Sequence, residues 1–346
     1  MDAHNNSPRA QPATPQDRVV VIAGPTAVGK TSLAIDLALR LDGEIVNADS
    51  RYLYRGFDIG VAKPTIEERR GVPHHLIDIL PPDGEMSLAR FQDLAMAAIA
   101  DISGRGRLPI LVGGTPLYMN AIVEGWRIPR VPPNPELRAR LERELAERGL
   151  EPLVERLRAV DPVAAERSAR NPRRVIRALE IFEISGAPMS AQEGKSPPPY
   201  RIFELALTMP REALYQVVDA RVAEQIAAGL VDEARTLLDA GVAENAAAMS
   251  SLGYRQLLPH LRGEQSLAEA IRHIEHDTHR YVRHQMTWLR RNPRLRWFDV
   301  SESGWRARAM SEVAAFLDRH SEPQRGIRVL AGSLDLERAR IPPSSE

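Results

Sequence analysis

Val19-Val20-Val21-Ile22 is an unbroken, β-branched apolar run. It is too short for a helix and has no polar face, so it predicts a strand buried on both sides. Residues 44–48, ending at Asp49, and residues 108–112 repeat that pattern; 76–80, 201–207 and 295–300 are further strand segments. Between the runs the period changes. From Lys30 to about Leu41 the apolar positions recur at helical spacing. Ser87 is placed to cap a helix that ends near Gly104, and Pro116 suits the first turn of another. Strands alternating with helices predict an α/β protein with a parallel sheet covered on both faces.

The alternation stops after Trp126. Pro129, Pro132, Pro133 and Pro135 mark a linker, and residues 134–185 read as helix with mixed charge outside. Asp161-Pro162 and Asn171-Pro172 each pair an N-cap with a proline at the first helical position. Residues 186–200, rich in Pro, Ser and Gly, read as a loop before the strand pattern resumes at Arg201. Residues 131–200 are therefore an inserted all-helical domain. Residues 18–130 and 201–320 form the core, with helices over 211–291 and 302–319. The polar stretches 1–17 and 321–346 read as tails.

Composition narrows the function. The 346-residue chain has no cysteine, which excludes disulfides, iron–sulfur clusters, thiolate zinc and cysteine catalysis. It has no apolar run of membrane-span length and no hydrophobic signal core near its start, so a cytoplasmic protein with no membrane partner is expected, and a monomer. The 46 basic residues balance 46 acidic ones, which by itself argues against a chain that coats nucleic acid. The total hides a partition. Arg170, Arg173, Arg174 and Arg177 crowd one stretch, and the segment from Arg280 to Arg296 holds six arginines and no acid. Only Lys30, Lys63 and Lys195 are lysines. Where arginine is the default cation, a retained lysine suits a site needing a compact ammonium.

The chemistry begins at Gly24-Pro25-Thr26-Ala27-Val28-Gly29-Lys30-Thr31, a G-x-x-x-x-G-K-[ST] sequence between a strand and a helix. In that context it reads as a P-loop. Its backbone N–H groups and helix N-terminus receive phosphate, Lys30 neutralises the terminal phosphates, and the Thr31 hydroxyl is placed for Mg²⁺. The loop specifies a di- or triphosphate, not a reaction. The base-reading N-K-x-D of GTPases is absent, and residues 108–112 lead into Gly113-Gly114-Thr115, with no acid where a mechanical ATPase holds metal and water. His273, His276 and His279 recur every three residues and read as a polar helix face.

The second strand delivers Asn47-Ala48-Asp49-Ser50-Arg51-Tyr52-Leu53-Tyr54, followed by Asp58-Ile59-Gly60-Val61-Ala62-Lys63-Pro64 and Pro73-His74-His75-Leu76-Ile77-Asp78. With the P-loop, Gly113-Gly114-Thr115, Gly253-Tyr254-Arg255-Gln256 and Arg283-His284-Gln285-Met286-Thr287-Trp288, this set resembles the tRNA dimethylallyltransferases in order from about Val19 to Trp288. The resemblance implies a P-loop kinase-like core with a helical insertion. It implies transfer of a dimethylallyl group from dimethylallyl diphosphate to N6 of the adenine 3′ of the anticodon, in tRNAs reading codons that begin with U. The P-loop then holds the donor's diphosphate rather than ATP for hydrolysis. The implied general base is Asp49, at a strand end facing the P-loop; its other reading is an Asp that only orients Mg²⁺. Thr115 is implied to bond the amine or the bridging oxygen, and is also placed as an N-cap. Arg221 is implied to join Lys30 at the diphosphate.

The resemblance also places contacts to the tRNA anticodon stem-loop. These fall at Asp49, Ser50, Arg51, Tyr52, Thr115, Arg138, Arg173, Arg174, Arg177, Gly253, Tyr254, Arg255, Arg283, Gln285 and Thr287. Tyr54, Tyr254 and Trp288 read as base-stacking or as core. His284 stands where the family usually has arginine, Val61 where it has threonine, and Tyr52 where many members have glutamine. An adenylate isopentenyltransferase, a P-loop small-molecule kinase and a noncatalytic RNA-binding protein remain as alternatives, the first disfavoured by the insertion.

Overall fold

The computed structural model describes residues 18–318. The expectations for 1–17 and for residues beyond 318 lie outside the described residues. In chain order the elements begin β1 (Arg18–Ala23), α1 (Lys30–Leu41), β2 (Gly43–Asn47), α2 (Ile66–Arg69), β3 (His74–His75), α3 (Leu88–Gly104) and β4 (Leu108–Val112). They continue α4 (Pro116–Val123), β5 (Trp126–Arg127), α5 (Pro135–Arg148), α6 (Glu151–Val160), α7 (Pro162–Ser168), α8 (Pro172–Ser185), α9 (Met189–Gln192) and β6 (Gly194–Lys195). The last are β7 (Arg201–Thr208), α10 (Arg211–Ala227), α11 (Leu230–Asp239), α12 (Tyr254–Leu261), α13 (Leu267–Leu289), β8 (Arg296–Asp299) and α14 (Trp305–Asp318).

The main sheet is parallel, in the order β3-β2-β4-β1-β7-β8. Val19 to Ile22 are at most 1% exposed, as an apolar run without alternation requires. One face packs Val19, Val21 and Leu111 against α3, α4 and the C-terminal helices; the other packs Val20, Ile22 and Ile110 against α1 and α14. Because β1 lies between β4 and β7, the connections on its two sides diverge at its C-terminal end. Such a switch point opens a crevice. The P-loop, Asp49 and Gly113 to Thr115 all follow strand C-termini there.

The third strand departs from expectation. Residues 76–80 are not a strand; pairing with β2 stops after His75. Leu76 and Asp78 have φ of 62° and 57°, which no strand accommodates. The segment instead runs beside residues 53–55, joined by the Tyr54–Leu80 bridge. Lys63, 8% exposed, holds it there by pairing with both Asp58 and Asp78 while donating to the Tyr54 carbonyl. Phe57 is fully buried between Tyr54 and Tyr254, edge-on to each. Phe57→Ala is expected to cost ~3–5 kcal/mol in denaturant unfolding, the usual range for emptying a core aromatic site.

Residues 135–185 are helical, and Leu141, Leu153, Leu157, Val175 and Leu179 form a core of their own, separate from the two sheet faces. Asp161 and Asn171 cap α7 and α8 through their side chains, as their proline partners predict, and Asn134 caps α5 in the same way ahead of Pro135. The expected loop 186–200 contains α9 and β6. β6 pairs antiparallel with β5, and Lys195 pairs with Glu124, so the chain leaves this unit against the strand by which it entered.

Candidate active site

The phosphate loop needs backbone shapes that few side chains allow. Gly24 has φ 148°, and a Cβ there would sit 2.9 Å from the Leu207 carbonyl oxygen. Ala27 and Gly29 are also left-handed, at φ 66° and 92°. Gly29 is the N-cap of α1 and has no side chain to cap it, so the first-turn N–H groups stay open to an anion. Lys30 Nζ folds back and donates to the Pro25 carbonyl at 2.7 Å.

Opposite the loop, Asn47 fixes the end of β2. It is 3% exposed, donates to the carbonyls of Asp49 and Leu76, each at 2.9 Å, and accepts the Asp49 N–H at 2.8 Å. Asp49 Oδ1 accepts the Arg51 N–H at 2.9 Å, and Oδ2 lies toward Gly114. The neighbouring strand end approaches closely: a Cβ on Gly113 would stand 2.3 Å from the Ala48 carbonyl. Thr115 begins α4, but its hydroxyl makes no cap bond. It accepts the Ser50 N–H at 3.0 Å and donates to Ser50 Oγ at 3.3 Å, which ties β4's loop to the Asp49 turn.

Two cavities meet here. One, of about 650 Å³, is lined by Gly29, Lys30, Thr31, Tyr52 and Lys63. The other, of about 530 Å³, is lined by Ser50, Arg51, Thr115, Gly253, Arg255 and His284. Thr26, Asp49, Arg221, Gln225 and Tyr281 line both, so the cavities adjoin and Asp49 stands on their shared boundary. Burial pushes the Lys30 ammonium down to about 8, Asp49 pulling it back up and Arg221 pushing it further down. Burial, with the Asp49 charge, raises the Tyr52 and Tyr281 hydroxyls above the phenol range, so both remain neutral donors at pH 7. Tyr52 donates to the Ala62 carbonyl at 2.7 Å.

Thr31 and Asp49 put one hydroxyl and one carboxylate on the first cavity. Among the described residues no three His, Cys, Asp or Glu side chains converge on a metal-sized space. These hard oxygen donors suit Mg²⁺ held mainly by a bound diphosphate, not a transition metal in a protein cage.

Other expected site residues are placed differently. Gly24, Pro25 and Val28 are buried beneath the loop. Gln285 is 4% exposed and has its amide engaged at both ends: Oε1 accepts the Thr26 N–H and Nε2 donates to the Gly114 carbonyl, each at 3.0 Å. It joins the phosphate loop to the Gly-Gly-Thr loop and lines the first cavity. Tyr254 is fully buried and has no face to offer a base; its ring packs on Phe57. Arg138 and Arg177 both pair with the buried Glu180. Arg173 and Arg174 are exposed at the start of α8, and Arg283 and Thr287 on α13. Arg283 donates to the Tyr215 hydroxyl, and Thr287 donates to the Arg283 carbonyl. His279 pairs with Asp219 and stacks on Tyr215.

Sequence reasoning missed Gln225 and Tyr281. A signal existed: Gln225 lies four residues after Arg221 on α10, and Tyr281 four before Gln285 on α13. Such pairs share a helix face.

The geometry can be set beside known proteins. A tRNA dimethylallyltransferase of Thermomicrobium roseum is 56% identical over 305 residues, covering 88% of this chain and 93% of the relative. One from Roseiflexus sp. (strain RS-1) is 50% identical, covering 87% and 99%. Among solved structures, the full-length tRNA isopentenylpyrophosphate transferase of Bacillus halodurans is 40% identical with TM-score 0.66, over 87% of this chain and 97% of that one. A eukaryotic dimethylallyltransferase acting on tRNA is 26% identical with TM-score 0.74, over 89% and 81%. Residues 52–292 match the family described as IPP transferase. With that match over most of its length, and a phosphate loop facing Asp49 across one crevice, the chain belongs to the IPP transferase family, the tRNA dimethylallyltransferases.

Proposed function

We propose that this chain transfers a dimethylallyl group from dimethylallyl diphosphate to N6 of the adenine 3′ of the anticodon in tRNA, releasing pyrophosphate. The observation that carries this reading is the pair of adjoining cavities. Lys30 and the open N-terminus of α1 line one, Arg51, Arg255 and His284 line the other, and Asp49 lies between. A kinase would bring its acceptor's nucleophile to the terminal phosphate at the loop. Here the second approach is an arginine-bearing opening on the far side of the carboxylate.

In this reading the N6 lone pair attacks the allylic carbon as that carbon's bond to the diphosphate oxygen breaks. An aromatic amine is a weak nucleophile and must shed a proton, which Asp49 accepts. Thr115 holds the Asp49 turn in place through Ser50. The departing diphosphate gathers negative charge, which Lys30, Arg221 and the loop N–H groups are positioned to stabilise. Mg²⁺, where bound at Thr31 and the diphosphate, supplies further charge neutralisation. The adenine must leave its stack to reach Asp49, losing stacking that the protein has to replace. Tyr281, 38% exposed on the shared wall, offers a ring for that purpose.

Residues 131–200 act in this reading as an insertion domain that grips the anticodon stem-loop, with the sheet and C-terminal helices as core. Exposed Arg173 and Arg174 are its phosphate contacts; Arg138 and Arg177 serve mainly to hold Glu180. Arg173→Ala with Arg174→Ala should weaken tRNA binding and reduce the log–log salt slope by about 2, one per lost contact. The KM for dimethylallyl diphosphate should not change. Filter binding across a salt series checks both.

Incubation with dimethylallyl diphosphate, Mg²⁺ and unmodified tRNA tests the function. One adenine should gain the mass of a dimethylallyl group, and excess AMP should not compete. Folded protein that modifies no tRNA would overturn the proposal.

A further inference from the structure

The wall shared by the two cavities is built partly by residues 58–62, which belong to no helix or strand. Val61 and Ala62 line both cavities, Asp58 and Ile59 the first, and Gly60 the second. A backbone segment of this kind needs partners for its polar groups, and here they come from distant side chains. Glu233, in the first turn of α11, takes three successive N–H groups: Asp58 at 3.1 Å, Ile59 at 2.9 Å and Gly60 at 3.2 Å. The Tyr254 hydroxyl donates to the same carboxylate and accepts from the Gly60 N–H. Gln225 meets the opposite polarity, with Nε2 donating to the carbonyls of Ile59 at 2.7 Å and Gly60 at 3.0 Å. Gly60 lies directly on the Tyr254 ring, since a Cβ there would fall 2.4 Å from it.

We propose that Glu233 and Gln225 are positioning residues for the transfer, clamping residues 58–62 as the wall that aligns the donor with Asp49; this rests on the function proposed above. The geometry separates the pair from catalysis proper. Glu233 accepts from three N–H groups and one hydroxyl, and so has no lone pair free to take a substrate proton. Gln225 stands one helical turn after Arg221 on α10, so the clamp fixes the wall relative to a cation proposed to hold the diphosphate. Loss of the clamp frees Ile59, Gly60 and Val61 to move, while the Tyr52 hydroxyl still holds the Ala62 carbonyl and Lys63 still pairs with Asp58.

The test uses two isosteric changes of opposite polarity in the full chain. Glu233→Gln turns an amide N–H₂ toward backbone donors, and Gln225→Glu turns a carboxylate toward backbone carbonyls. Each should lower kcat/KM for dimethylallyl diphosphate by ~10–100-fold, the scale of an ångström's misplacement. Affinity for tRNA should stay within about twofold, and the double variant should be no worse than the poorer single, because both act on one segment. An equal fall in donor efficiency and tRNA affinity would assign the residues to general stability and overturn the proposal. So would wild-type kinetics in Glu233→Gln. Should that variant not fold, Gln225→Glu makes the same comparison. A wild-type protein inactive on tRNA overturns both the clamp and the function; an active wild type with unchanged variants overturns the clamp alone.

Discussion

Asp49→Ala is expected to lower turnover by ~100-fold or more while tRNA still binds, the scale of losing a positioned general base. The decisive companion is Asp49→Asn. Oδ1 accepts the Arg51 N–H and the backbone is held by Asn47, so an amide at this position keeps the turn while losing the negative charge and, with it, the ability to take a proton. A similar fall in both variants therefore separates chemistry from architecture. The competing role, orientation of Mg²⁺, makes a different forecast: raising the Mg²⁺ concentration would then restore much of the loss. Single-turnover transfer to unmodified tRNA, measured across a Mg²⁺ series, distinguishes the two. Near-normal turnover in either variant would remove Asp49 from the role of base.

The position of Asp49 was legible because every cue for it is local. An apolar run marks β2, its end marks the crevice, and a carboxylate follows at once. The phosphate loop was legible for the same reason, as were the caps at Asp161 and Asn171, whose partners lie three residues away. What escaped depends on distant partners. Residues 76–80 have the composition of a strand, but Leu76 and Asp78 adopt positive φ where Lys63 captures the Asp78 carboxylate and Asn47 the Leu76 carbonyl. Glu233 is one acidic residue among 46 in the sequence, and only the folded chain brings residues 58–60 to it. Tyr254 and Gln285 sit inside recognised motifs, yet their chemistry is internal. One supports Gly60, and the other joins two loops across 171 and 259 residues of chain. A motif marks residues a site needs, without separating those that touch substrate from those that hold the ones that do.

The same division applies to the three lysines. Lys195 pairs with Glu124 where the insertion leaves the core, and Lys63 cages two carboxylates. Buried Lys63 uses a compact ammonium on a flexible stem inside a crowded site, where a planar fork is harder to fit, whereas Lys195 is exposed. The scarcity that first singled out Lys30 therefore reflects packing as well as phosphate chemistry.

For Lys30 the expected result is a loss of ~10²–10³-fold in kcat/KM on Lys30→Met, the scale of removing one preorganised cation from a developing anion. Lys30→Arg should not rescue it, because the compact ammonium bends back to the Pro25 carbonyl at 2.7 Å, a geometry that a longer, planar guanidinium does not reproduce. The pH dependence gives an independent signature. Burial brings Lys30 down to about 8, so in the free enzyme its charge disappears as pH rises through that value. The donor's kcat/KM, which reports the free enzyme, should then fall about tenfold per pH unit above it. A bound diphosphate favours the ammonium, so kcat at saturation should stay flat to higher pH, and diphosphate binding near pH 8.5 should take up a proton. The linkage to stability has the opposite sign. Between about 8 and the ordinary 10.5 the unfolded chain holds a proton that the folded chain lacks, so this group adds stability as pH rises through that window. Donor affinity and unfolding stability should thus move in opposite directions over one pH interval, and Lys30→Met should abolish both trends together. Calorimetry in buffers of different ionisation enthalpy, paired with unfolding at pH 7.5 and 9.5, measures each. A donor kcat/KM that stays level to pH 10 would show that Lys30 does not carry the charge on which diphosphate binding depends.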